Sequence, residues 1–314
     1  MLYATLCNKS PIFSFFAVGV WLIVSMALQW HGYDGADQYT FALTLLLQHA
    51  TVLLLAASSN FVMNRQKIVG VGNYSLLVLS TITLTGLQTS LQNTMLMMGV
   101  LLAVVLIHRF GKLFNRPEAS IEEFEVGIIS GLALLISPLF LFLLPFSLVA
   151  LNLSKSNRIR DFIAILLGFS FIFFLKILWL LWTDYPLLPL LNLSWEIKFT
   201  QVQTLSWIQW SILLAYSYWY TRKALFYFQK ADQLSIRLRI FYRIVILLIV
   251  SVFLAVLTQD LHISAIDFTL MIMPFFLFLD QLKSSKNRKN WVDDVFILLL
   301  LTSTLSIHIW NLNA

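Results

Sequence analysis

The run "FIFFLKILWLLWTD" closes an apolar stretch over residues 162–182 whose only charge is Lys176. A bilayer core is crossed by about 20 mostly apolar residues in a helix. In lipid the backbone must satisfy its own hydrogen bonds, so only helices and closed barrels span. The apolar runs of this chain are continuous and do not alternate with period two, which selects helices. The medium is lipid for the whole chain, since 59% of residues are apolar and only 11% charged, against about 25% charged in a soluble domain. A net charge of +6 then has meaning through its placement along the chain, and nucleic acid is not an expected partner. The single cysteine, Cys7, rules out internal disulfides.

Taking each polar gap as a boundary gives an all-α, polytopic integral membrane protein of about eleven transmembrane helices. They lie near 11–29, 41–58, 74–90, 94–109, 126–138, 140–153, 162–182, 205–221, 241–258, 264–281 and 292–311. The run from Pro11 to Leu28 is longer than the apolar stretch of a cleaved signal and is read as a retained first helix. The pairs within 74–109 and 126–153 are split only by "SLQNT" and by Ser137 and Pro138, so both hairpins are expected to be shallow.

Lys and Arg concentrate in cytoplasmic loops. With Lys9 inside, 19 of the 21 basic residues fall on that side, leaving Lys198 outside and Lys176 within a span. The N-terminus is therefore expected to be cytoplasmic and the C-terminus external. Trp30, Trp179, Trp182, Trp195, Trp207, Trp210 and Trp310 gather at the external ends, where an indole suits the headgroup level. The chain reads as one integral membrane domain over 1–314. Segment 183–204 is taken as an external interfacial piece, and 222–243, rich in Arg and Lys, as a cytoplasmic amphipathic segment.

Few residues carry candidate chemistry. "HGYDGADQYT" places Asp34 and Asp37 just outside the first helix. Either would serve as a general base, or hold a divalent metal on a phosphate leaving group; both are also ordinary turn residues. Lys176 fits a phosphate-binding role and equally a side chain that snorkels toward Trp179 and Trp182. His49, beside Gln48, fits a hydrogen bond between helices and, more sharply, a relay or substrate-binding role. His31, His262 and His308 face the same side without ligand spacing. Glu118, Glu122, Glu123 and Glu125 precede a helix start, where the dipole favours negative charge. Gly127 and Gly131 form a small-xxx-small pair that allows close helix approach.

The stretches "SSNFVMNRQKIVGVGNYSLLVLSTITL" and "GVLLAVVLIHRFGKLFNRPEASIEEFEVGIISGLALLISPLFLFLLPFSLVALNLSKSNRIRDFIAILLGF" resemble an uncharacterised family of polytopic inner-membrane proteins of Bacteroidetes. That likeness implies topology and location only. "GIISGLALLISPLFLFLLPFSL" is similar to the Gly-rich hairpin of GT-C glycosyltransferases, which move sugars from polyprenyl-phosphate carriers. By that resemblance Asp34 or Asp37 would activate the acceptor and a lipid-linked glycan would be the partner; Ser137 stands where those hairpins carry a lysine. "HGYDGAD" is similar, at His31, Gly32 and Asp34, to an element of the membrane carotenoid-cleaving oxygenases. Beside the envelope-biogenesis glycosyltransferase reading stands a non-catalytic scaffold or transporter component, which paired buried charges or broken helices would favour.

Overall fold

The computed structural model describes residues 11–31, 38–65, 74–87, 91–113, 120–154, 159–183, 236–258, 298 and 302, and every element among them is helical. In chain order these are α1 (Pro11–His31), α2 (Gln38–Arg65), α3 (Ser75–Leu87), α4 (Leu91–Leu113) and α5 (Ser120–Ile136). A 3-10 helix (Pro138–Phe142), α6 (Leu143–Ser154), α7 (Ile159–Trp182) and α8 (Ile236–Thr258) follow. Among the described residues four stretches are long and apolar enough to cross a membrane: Ile12–His31, Gln38–Val62, Thr94–Leu113 and Ile159–Trp182. Of the spans read from sequence, 11–29, 41–58, 94–109, 140–153, 162–182 and 241–258 fall on helices, and 74–90 and 126–138 do so in part. Spans 205–221 and 264–281 lie outside the described residues, as does 292–311 apart from the helical Leu298 and Thr302.

The helices belong to two compact units. The first holds α1, α2 and α3. On α1 the buried positions Ser14, Val18, Leu22 and Ser25 recur every three or four residues, while Ile12, Phe16 and Ile23 are exposed. This is the helical period with an apolar outer face, as lipid solvent requires. Its core is unusually polar: Gln48, His49, Thr51, Ser59, Ser80, Thr81 and Thr85 are all buried. Most of these hydroxyls donate back to the carbonyl one turn earlier, Thr51 to Leu47 at 2.7 Å and Thr81 to Leu77 at 2.7 Å, which satisfies them without a partner helix. Bonds also cross between helices: the Trp21 indole donates to Thr85 Oγ1 at 2.8 Å, and His49 meets Ser25.

The second unit holds α4 from Met98 onward, α5, the 3-10 helix, α6, α7 and α8. The break expected at Ser137 and Pro138 is real. Proline has no N–H, so the Leu134 carbonyl loses its helical donor; α5 stops at Ile136 and the chain tightens into the 3-10 helix before α6 runs on. Phe140 at this tip is buried and lies against Gly99 of α4: a Cβ there would fall 2.0 Å from the Phe140 ring. Ser130 and Ser147 meet at 3.1 Å between α5 and α6, and Phe110 packs edge-on to Phe146, with centroids 6.0 Å apart. The helix around span 241–258 begins earlier, at Ile236, so the basic end of segment 222–243 runs straight into it. Residues 222–235 of that segment lie outside the described residues.

Candidate functional site

The seam between α5 and α7 is built from glycine. A Cβ at Gly127 would lie 2.1 Å from the Ile165 carbonyl oxygen, and one at Gly168 would lie 2.2 Å from that of Phe124. The two backbones touch, which only hydrogen at these positions allows. Gly131 then faces Ile172. Rising numbers on one helix meet rising numbers on the other, so α5 and α7 run parallel and their N-termini lie at the same end.

Both buried stripes of this seam begin with a carboxylate. On α5 the stripe is Glu123, Val126, Gly127, Ser130 and Ala133; on α7 it is Asp161, Ile165, Gly168 and Ile172. Glu123 is 0% and Asp161 4% exposed. Given the glycine contacts, Asp161 and Glu123 stand within about one helical turn, roughly 5 Å, of the same level. The C-terminal end of α4 joins them through Arg109, whose guanidinium pairs with Glu125 at 2.5 Å. His108, Glu122 and Arg160 belong to the same helix ends. Negative charge in the first turns of α5 and α7 is favoured by their dipoles, but full burial of a carboxylate needs more than a dipole to offset it.

The residues singled out from sequence are placed as follows. Asp34 and Asp37 lie outside the described residues, as do His262 and His308. His31 is exposed at the end of α1. His49 is buried, with Nδ1 2.9 Å from the Leu45 carbonyl and Nε2 3.2 Å from Ser25 Oγ. A carbonyl only accepts, so Nδ1 carries the proton, and the neutral ring accepts the Ser25 hydroxyl at Nε2. That is the bond between helices that its sequence position allowed. Lys176 follows Ile172 by one turn on the inner line of α7, is half-buried, and makes no hydrogen bond or ion pair with any described residue. The structure does not bring His49 and Lys176 together in one unit. Among the described residues no three His, Cys, Asp or Glu side chains group as a metal site.

Sequence reasoning took Glu122, Glu123 and Glu125 as carboxylates ahead of a helix start, whereas they lie within α5 (Ser120–Ile136), and it passed over Asp161. The available signal was register: Glu123 precedes Val126 and Gly127 by three and four residues, and Asp161 precedes Ile165 by four, so both fall on the inward line of their helices. No family model, curated protein or solved structure matches the chain.

Proposed function

We propose that the protein is a multi-pass membrane component of the transporter class, with the carboxylate-headed seam of the second unit as the place where an ion is taken up and released. The observation that carries this is the burial of Glu123 and Asp161 at one end of a backbone-tight helix pair, beside the Arg109–Glu125 ion pair. Ionisable groups inside membrane bundles are expensive and mark ion or substrate pathways, and a bundle that only packs has no need of them. The broken hairpin after Ile136 adds to it, since short, proline-interrupted segments are where transporters place their sites.

The same end carries Arg109, Arg160 and the first turns of α5 and α7. This supports the inner-membrane placement with these loops cytoplasmic, and we extend that to about eleven spans and to kinship with the Bacteroidetes family. The glycosyltransferase reading rests on the sequence likeness: Asp34 and Asp37, its candidate catalytic carboxylates, lie outside the described residues, and Gly127 and Gly131 of its hairpin are spent on seating α7.

The test is proton flux. Purified protein in liposomes loaded with a pH-sensitive dye, driven by a potassium–valinomycin potential, is expected to acidify the lumen faster than protein-free liposomes. E123Q and D161N are each expected to lower the rate at least tenfold. Wild-type protein no faster than empty liposomes would sink the proposal.

A further inference from the structure

Lys176 stands apart from the carboxylate seam, at the other end of α7. Gly131 meets Ile172, so one turn further on Lys176 is level with Leu135, in the last turn of α5. There α5 ends, and its C-terminal carbonyls, including that of Leu134, which Pro138 deprives of a helical donor, make this a locally negative place that suits an ammonium. Beyond it the seam is open: Leu175, Leu178, Trp179 and Trp182 are exposed, Trp179 by 66% and Trp182 by 87%. Lys176 thus sits where the protected line of α7 passes into the lipid-facing surface, and among the described residues no carboxylate answers it.

The depth of the charge decides what does. Lys176 is six residues short of Trp182, about 9 Å of rise, and the exposed indoles of Trp179 and Trp182 mark the headgroup level. Helical side chains lean toward the N-terminus, here away from Trp182, so the reach of the lysine toward water is shortened. A cation held below the interface by its own backbone is met by an anion that comes down to it.

We propose that Lys176, with Trp179 alongside it on the same face of α7, binds the phosphate of an anionic phospholipid headgroup in the leaflet at the Trp182 end, whose acyl chains lie along the exposed Phe171 and Leu175. Trp179 follows Lys176 by three residues toward the interface, so the indole lies beside the lipid headgroup while the ammonium takes the phosphate. Binding is charge-selective: phosphatidylglycerol is retained over phosphatidylcholine, whose choline cancels the phosphate.

The experiment uses the full chain in nanodiscs of phosphatidylcholine with graded phosphatidylglycerol, released for native mass spectrometry. Wild type is expected to retain one more phosphatidylglycerol than K176Q, and K176R to keep it; R239Q, on α8, serves as a control that keeps it too. Equal retention by wild type and K176Q overturns the proposal. Should K176Q fail to fold, reductive methylation of wild-type lysines decides. Lys176 labelling at least threefold slower in phosphatidylglycerol than in phosphatidylcholine supports the site, and equal labelling overturns it.

Discussion

Gly127 and Gly168 fix the second unit more tightly than any other residues described. Each lies against the backbone of the partner helix, which cannot yield as a side-chain tip can. Gly127→Ala is therefore expected to separate α5 from α7 and to cost about 1–3 kcal/mol or more, seen as a lower thermal midpoint in detergent. Gly99→Ala meets only the Phe140 ring, so a smaller loss is expected from it in the same measurement. In the first unit, the bond between His49 and Ser25 is expected to show a coupling of about 0.6 kcal/mol, and no more than about 1.7, in a double-mutant cycle of His49→Ala and Ser25→Ala. Arg109 and Glu125 are 28% and 34% exposed. Water screens such a pair, so Arg109→Ala is expected to cost only about 0–1 kcal/mol in thermal stability, while still altering ion flux if the seam works as proposed.

At the scale of helices, the sequence was most informative where a rule has a single solution. Long apolar runs could only be helices, and those at 11–29, 41–58 and 162–182 fall within α1, α2 and α7. Ser137 and Pro138 had to interrupt the hairpin, because a missing N–H cannot be compensated inside a helix. The Gly127 and Gly131 pair announced a close approach. Its partner, Gly168, was not legible, because one sequence does not say which two helices face each other. The buried carboxylates were missed for a related reason. Glu123 and Asp161 open their helices in stretches that look like ordinary dipole-favoured first turns, and their depth becomes visible only once α5 and α7 are laid parallel. Conversely, the candidates that stood out in sequence did so through local contrast, as with Lys176 in its apolar run. Contrast identifies an unusual residue without saying what surrounds it.

For the whole molecule, the parallel course of α5 and α7 puts their N-termini at one end of the second unit, and under the proposed topology both fusion points just before them are expected on the cytoplasmic side. Green fluorescent protein fused after residue 116 or 157 is expected to fluoresce in bacterial cells, and alkaline phosphatase fused within 184–204 to be active. Phosphatase activity at 157 would refute the inward placement of that loop.

The short α6 has a further consequence, for how the protein is made. The 3-10 helix and α6 together span residues 138–154, the lower limit of apolar length for crossing a bilayer. The surface that seats α5 belongs to α7, which leaves the ribosome later. The hairpin is therefore expected to settle only once Gly168 has been made and α7 can seat it. Released chains ending just after residue 154 should leave a cysteine engineered at the buried Ala150 open to a water-soluble thiol reagent, whereas chains extended past Trp182 should protect it.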